Sequence, residues 1–260
     1  MDGFAKRVAI VTGASSGIGA ATARELADRG VRVVLAARRV NELDRQARAI
    51  AALGGEAISI PTDVTDPEQL AQLVDRANGA FGPVDILVNN AGANWLRPVV
   101  ASDPGELTNV LGVNLLGAML LARAVLPGML ERRRGAIISI GSLSGRVAME
   151  PVYSATKFGL RGFSLSLRRQ LIGTGVSVSL VSPGNIRTDM TRHVRGRLPD
   201  PRVVAEAVCE LVEHPRREVI VPRRHHAIAW LEQTSPVLAD LAHRYRHWSP
   251  VQEEDPWKYS

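Results

Sequence analysis

Short runs of branched apolar residues recur along the chain. Between them, apolar positions return every three or four residues over helix-length stretches. The short runs are RVAIVT (7–12), VRVVLAA (31–37), EAISIP (56–61), VDILVN (84–89), GAIISI (135–140), VSVSLV (176–181) and EVIVP (218–222). Their length and β-branched content predict strands. Intervening segments such as IGAATARELADRG (18–30) and NELDRQARAIAALG (41–54) predict amphipathic helices. Strands alternating with helices build βαβ units, and strands apolar on both faces need cover on both sides. The pattern therefore predicts an α/β, doubly wound fold: a parallel sheet of about seven strands with helices on both faces. These elements fill residues 1–222 as one domain, with no linker and no repeat. Residues 223–260 form a C-terminal extension with a patchy helical pattern interrupted at Pro236. It predicts two short helices and a mobile tail.

The 260 residues suffice to bury a core of this kind. No run of about 18 or more uncharged apolar residues occurs, so no membrane-spanning helix is expected. The N-terminal apolar run leads straight into a glycine-rich turn and reads as a first strand, not as a signal peptide. The single cysteine, Cys209, excludes an internal disulfide and fits a reducing, cytoplasmic setting. A formal net charge of +6 invites anionic partners: nucleic acid, a membrane surface or a phosphorylated cofactor. The arginines, however, are spread along the chain among acids. The densest run, ERRRG (131–135), falls where a helix should end and cations complement its dipole. No aromatic interleaving accompanies it, which weighs against nucleic acid.

The turn after the first strand reads TGASSGIG, with Thr12, Gly13, Ser15, Ser16, Gly17, Ile18 and Gly19. Glycines there allow a tight turn and close approach of backbone to a pyrophosphate. The following helix offers free N–H groups and a positive dipole end. A carboxylate near the end of the second strand would suit the ribose of NAD; a cation suits the 2′-phosphate of NADP. The sequence there is LAARRV, with no carboxylate before Glu42. Arg38 is the expected partner of a 2′-phosphate, Arg39 is expected to face solvent, and NADP(H) is favoured over NAD(H).

In its motifs the chain closely resembles the short-chain dehydrogenase/reductase family over about residues 5–222. TGASSGIG resembles the family's cofactor turn, and Asp63-Val64 its adenine-contacting pair. NNAG (89–92), with Asn90, Ala91 and Gly92, resembles its fourth-strand motif. Pro183-Gly184, with Ile186 and Thr188 beyond, resembles the segment at the nicotinamide end. Asn114, Ser142, Tyr153 and Lys157 follow the order of the family's catalytic residues. The resemblance implies a Rossmann-type fold and nicotinamide-dependent interconversion of alcohols and carbonyls. It implies that Tyr153 and Lys157 also contact the cofactor, and that a homodimer or homotetramer forms through helices 104–131 and 151–172.

The residues support the same chemistry. Reducing a carbonyl needs a proton donor for the oxygen that becomes an alkoxide. Tyr153 and Lys157, at i and i+4 in YSATK, share a helix face, and a nearby ammonium is expected to lower the phenol's pKa. The chain has 32 lysines and arginines, and only three are lysines. A flexible ammonium reaches several partners, whereas an arginine fork suits bidentate anions. Ser142, at the end of the fifth strand, is placed to hold a carbonyl oxygen; Ser139 and Ser144 are its rivals. Asn114 lies in an apolar helix. The family implies a kink there that binds water and links Lys157 to solvent, and a buried structural amide is compatible with that. Ten residues separate Ser142 from Tyr153, about two fewer than the family commonly has. Glu150-Pro151 fits a helix entry.

Arg187 to Pro199 resembles the family's substrate lid, with Met190 as an apolar contact. Trp95, Leu96 and Met149 are candidate walls. Arg192, Arg195 and Arg197 read as solvated lid charges before anchors for an anionic substrate. No metal site is expected. Two further readings stand beside the enzyme: a non-catalytic dinucleotide-binding sensor or scaffold, and a peripheral membrane or nucleic-acid binder. Membrane contact through residues 223–250 is the less favoured reading of the extension.

Overall fold

The computed structural model describes residues 4–95, 99–235, 237–238 and 240–241. Seven parallel strands form one sheet in the order β3-β2-β1-β4-β5-β6-β7. They are β1 (Val8–Thr12), β2 (Arg32–Ala37), β3 (Ala57–Pro61), β4 (Ile86–Asn89), β5 (Gly135–Ile140), β6 (Val176–Pro183) and β7 (Glu218–Val221). Each observed strand lies within two residues of the run that predicts it. Alternate side chains feed two cores, one per face. Val11, Leu35, Val88 and Ile138 pack on one side with α1 (Gly17–Asp28), α2 (Val40–Ala51) and α7 (Arg202–Glu213). Ile10, Val34, Leu87 and Ile137 pack on the other with α3 (Pro67–Phe81), α5 (Gly117–Glu131) and α6 (Pro151–Gln170). The strand order reverses between β1 and β4. A crevice opens there at the carboxyl ends of the strands, where ligands bind in open α/β sheets.

Between α4 (Pro104–Leu111) and α5, residues Gly112–Leu116 form a π-helical turn around Asn114. The helical stretch Pro104–Glu131 is long and apolar enough to cross a membrane by length and composition, with mean hydropathy 1.8 over its best window. This departs from the sequence expectation, because a window carrying Arg123 still passes on average hydropathy. Thirty-nine per cent of that window is buried, and Leu121, Ala122, Val125 and Met129 pack on the sheet. After β7 comes α8 (His226–Thr234), anchored by the buried Ala229 against Leu143 and Ile220. The expected break at Pro236 and the tail from 242 onward lie outside the described residues.

The arginines after α5 have structural partners. Arg132 donates to the Val84 carbonyl at 2.8 Å, Arg133 to that of Gly173 at 3.0 Å, and Arg134 pairs with Asp85 at 2.8 Å. Cys209 is buried in α7, and burial pushes its thiol up to about 12, which keeps it unreactive.

Candidate active site

The glycine turn is shaped as its sequence requires. Gly13 and Gly17 adopt φ of 64° and 57°, in the left-handed region. A Cβ on Gly19 would overlap the Gly13 carbonyl, so the start of α1 can approach the turn only as glycine. Ser16 is the N-cap, and its side chain does not close the helix end. The first-turn N–H groups of this 12-residue helix therefore remain for an anion. Thr12 stitches the turn to β4: its hydroxyl accepts from the amides of Asn90 and Ala91 at 2.9 and 3.0 Å. The Asn90 side-chain Nδ2 donates back to the Thr12 carbonyl at 2.8 Å.

One of the two arginines departs from expectation. Arg39, read from the sequence as facing solvent, donates to the Ser15 hydroxyl at 2.9 Å and to that of Ser16 at 2.6 Å. Its guanidinium thus lies over the glycine turn. Arg38, 70% exposed, leans toward Asp63 at 3.9 Å. The Asp63 carboxylate accepts from the Thr65 amide and hydroxyl at 2.9 and 2.8 Å; with Arg38 these outweigh burial and hold its pKa below the usual range. Val64 beside it is buried. Open helix N–H groups, two guanidiniums and a turn that excludes side chains make a donor set suited to a phosphorylated dinucleotide.

Across the crevice, Ser142, Tyr153 and Lys157 converge. Ser142 sits just past β5 and accepts from the Ser144 amide at 3.1 Å, capping a short 3-10 turn, Leu143–Gly145. Gly145 is packed so closely on α6 that a Cβ would lie 2.7 Å from the Lys157 carbonyl oxygen. Glu150 and Pro151 open α6 as predicted. The Ser142 hydroxyl is close enough to the Tyr153 phenol to favour its ionised form. Burial pushes the phenol up to about 12; Ser142 opposes that rise and Glu150 adds to it. Lys157 is 4% exposed, and burial alone brings its amine down to about 8. It donates to the Ile140 carbonyl at 3.0 Å and stands 5.7 Å from the Tyr153 ring centroid. Ser142 is the group that opposes burial, while the ammonium is turned to a carbonyl.

Asn114 is 1% exposed and fully bonded. Its oxygen accepts from the Ala93 amide at 2.7 Å; its nitrogen donates to the Ala93 carbonyl at 2.9 Å and to Thr156 at 3.0 Å. Thr156 in turn donates to the Tyr153 carbonyl at 2.7 Å. These bonds describe the buried amide, and the π turn is the kink, a form that recurs at functional sites. A Cβ on Gly92 would lie 3.5 Å from the Asn114 oxygen and 3.8 Å from the Lys157 nitrogen, so the three meet. The rival serines are engaged elsewhere: Ser139 accepts from Ser164 at 2.9 Å, and Ser144 donates to Glu150 at 3.2 Å.

Pro183 ends β6, and the Gly184 amide donates to the Val221 carbonyl at 2.8 Å. Ile186 is buried, and a Cβ on Gly17 would lie 3.1 Å from the Thr188 methyl. This segment thus runs from the sheet end to the glycine turn. In the lid, Arg192 pairs with Asp189 at 2.7 Å, while Arg195 and Arg197 are exposed. Met190 is exposed, and Met149 packs on Leu143, Ile220 and Ala229. The Trp95 indole donates to Ser102 at 3.0 Å, and Leu96 lies outside the described residues. Sequence reasoning set Arg39 aside as solvent-facing and passed over Gly145 and Thr156. Thr156 stood inside YSATK, and its hydroxyl next to the lysine was the available signal.

The sequence model described as short chain dehydrogenase matches residues 7–198. A ketoacyl reductase of Nostoc sp. is 40% identical over 224 residues, covering 83% of this chain and 78% of the relative. A 3-oxoacyl-[acyl-carrier-protein] reductase of Vibrio cholerae is 38% identical over 220 residues, covering 79% and 89%. A metagenomic short-chain oxidoreductase solved in complex with NADP superposes with a TM-score of 0.76 at 38% identity, covering 85% of this chain and 98% of that one. An actinorhodin polyketide ketoreductase solved with NADPH gives 0.78 at 31% identity, covering 83% and 95%. With the glycine turn and the Ser–Tyr–Lys cluster both in place on a seven-stranded parallel sheet, this chain belongs to the short chain dehydrogenase family and is an oxidoreductase.

Proposed function

We propose that the chain is an NADP(H)-dependent oxidoreductase interconverting a carbonyl and a primary or secondary alcohol. The observation that carries this reading is the grouping of the Tyr153 phenol, Ser142 and the buried Lys157, across one crevice from the glycine turn. Thr12, Gly13, Ser15, Ser16, Gly17, Ile18 and Gly19 would hold the pyrophosphate, and Asp63, Val64, Asn90, Ala91 and Gly92 the adenosine side and the crevice floor. Pro183, Gly184, Ile186 and Thr188 would hold the nicotinamide end. Arg38 and Arg39 together favour a 2′-phosphate, with Arg39 over the turn serines and Arg38 beside Asp63. When bound, NADPH supplies the hydride.

The side chains manage the proton. Ser142 donates to the substrate carbonyl and steadies charge growing on its oxygen. The protonated Tyr153 hands its phenolic proton to that oxygen, giving the alcohol. Lys157, a cation below about pH 8, then stabilises the phenolate that remains. Asn114 holds Ala93 and Thr156 so that the start of α6 keeps its place. In alcohol oxidation the same groups run in reverse.

Several relatives bear ketoacyl or 3-oxoacyl reductase names, so a β-keto thioester is the first probe. The test follows NADPH absorbance with acetoacetyl-coenzyme A, diacetyl and a panel of aldehydes and ketones, and repeats it with NADH. Turnover should fall about 1,000-fold or more in Tyr153→Phe, with NADPH binding kept within about twofold. Intact turnover in that variant would overturn the assignment. Leu111, Leu116, Met119 and Phe158 are exposed on the α4–α5 and α6 surface. They support the homodimer or homotetramer, which light scattering on the purified chain would measure.

A further inference from the structure

The loop between Ser142 and Tyr153 is short, and an ion cluster behind it ties together the two elements that carry those residues. Arg146 follows the 3-10 turn that Ser142 caps. Arg161 lies on α6 two helical turns beyond Tyr153, at i+8 on the face that also holds Lys157 at i+4. Between them stands Glu218, the first residue of the edge strand β7, whose side chain is 3% exposed. Its Oε1 accepts from Arg146 Nε at 2.7 Å and from the Ser182 hydroxyl at 2.8 Å. Its Oε2 accepts from Arg146 Nη2 at 2.7 Å and from Arg161 Nε at 3.1 Å. Four donors fill the acceptor sites of one carboxylate, and the Arg146 contact is a two-point fork.

We propose that Glu218 is a positioning residue that fixes the Ser142–Tyr153 pair by clamping the Ser142 turn and the Tyr153 helix to the edge of the sheet. This rests on the reading of Ser142 and Tyr153 given above. The geometry favours a clamp over a general stabiliser. Each arginine comes from one of the two elements that carry Ser142 and Tyr153, and the carboxylate comes from a third. The turn and helix are also pressed together at Gly145 and Lys157, where no side chain intervenes to buffer a shift. Movement of the Arg146 end therefore reaches Ser142 within four residues. Burial alone would raise the Glu218 pKa; its bonds to Arg146 and Ser182 and the two guanidinium charges outweigh burial and hold it below the usual carboxylate range. The clamp stays charged through neutral pH. Removing the charge leaves two largely buried guanidiniums facing each other, so the loop and the helix are driven apart and not merely loosened.

The experiment compares the parent, Glu218→Gln, Arg146→Lys and Tyr153→Phe with acetoacetyl-coenzyme A and diacetyl as carbonyl probes. Glu218→Gln keeps the shape and loses the charge. It should lose about 10- to 100-fold in kcat, the scale of an ångström-level misplacement, with the NADPH dissociation constant within about twofold of the parent. The basic limb of its pH–rate profile, which Lys157 sets, should also move, because a shift of α6 against the Ser142 turn at Gly145 alters the burial that holds the amine at about 8. A purely structural role would lower the melting temperature but leave the pH profile of the folded enzyme in place. Should Glu218→Gln not fold, Arg146→Lys decides: it retains the cation, loses the fork, and should show the same kcat loss and profile shift. Glu218→Gln folded and within twofold of the parent in kcat and profile overturns the clamp, as does an unaltered Arg146→Lys when the first variant fails to fold. With Tyr153→Phe inactive, either result removes only the clamp. Full turnover in Tyr153→Phe, or no turnover by the parent on either probe, removes the active-site reading and the clamp with it.

Discussion

The two sides of the crevice are built by different means. On the β1–β4 side, backbone does the shaping: positive φ at Gly13 and Gly17, the forced contact of Gly19 with Gly13, and Thr12 bonded to the Asn90 and Ala91 amides. On the β5–β7 side, side chains from distant segments hold the geometry. Arg146 meets Glu218 across 72 residues, the Glu232 carboxylate accepts from the Ala148 amide across 84, and Gly184 lies against the His225 ring. A phosphate-binding surface needs N–H groups in fixed directions, which a turn supplies locally. A substrate surface must suit one molecule, and side-chain clamps change without disturbing the sheet.

The largest break in this comparison is a side chain in the backbone-built half. Gly19→Ala places a methyl onto the Gly13 carbonyl, and neither backbone can yield without moving the turn. Overpacking of this kind costs about 1–3 kcal/mol. NADPH affinity should drop about 10- to 100-fold by titration of cofactor fluorescence, while far-ultraviolet dichroism stays that of the parent. Affinity within twofold of the parent would show that the turn is not the phosphate cradle.

On the other side, the buried amine gives a pH signature. Burial disfavours the charged form of Lys157, so its pKa falls to about 8 and the proton leaves as pH rises through that value. Carbonyl reduction should be flat below about pH 8 and lose about tenfold per unit above it, since the phenolate left by Tyr153 then lacks its cation. The phenol, pushed to about 12, stays protonated over that range and cannot produce the fall. A rate that holds to about pH 10 would remove Lys157 from the step.

A smaller effect tests where the two guanidiniums divide their work. Arg39 touches both turn serines and Arg38 only leans on Asp63. Arg39→Ala should cut the NADPH-over-NADH preference about tenfold, the size of one charge-assisted bond, and Arg38→Ala by less. The reverse order in steady-state kinetics would restore the sequence-based choice of Arg38.

What the sequence made legible follows the same division. The strands, the glycine turn and the Tyr153–Lys157 spacing are local, so periodicity and motif exposed them within two residues. Asn114 stood out as a polar residue in an apolar helix, and the structure gives it three bonds and a π turn. Arg39 was misjudged because its direction depends on where α2 begins; as N-cap of that helix it turns back over Ser15 and Ser16. Glu218 read as the polar first residue of an apolar strand. Nothing near it in sequence announces two arginines, because Arg146 and Arg161 reach it only after β7 joins the sheet beside β6.

The smallest expected effect concerns the contact between the end of β6 and the C-terminal extension. A Cβ on Gly184 would fall inside the His225 ring, and His225 Nδ1 is buried with no hydrogen-bond partner among the described residues. Burial, and then the Arg224 charge, lower the His225 pKa, so the ring is neutral at pH 7 and packs without a buried charge. Gly184→Ala should displace the ring and with it the Gly184–Val221 bond, costing about 1 kcal/mol in stability and a few-fold in kcat. His225→Ala removes the obstacle. In the double variant the methyl occupies the space the ring leaves, and about half or more of the loss should return. That non-additivity, read as a double-mutant cycle in melting temperature and kcat, measures the coupling directly. Strict additivity would mean that the extension rests on the sheet end without influencing it, and the contrast between the two sides of the crevice would then stop at β7.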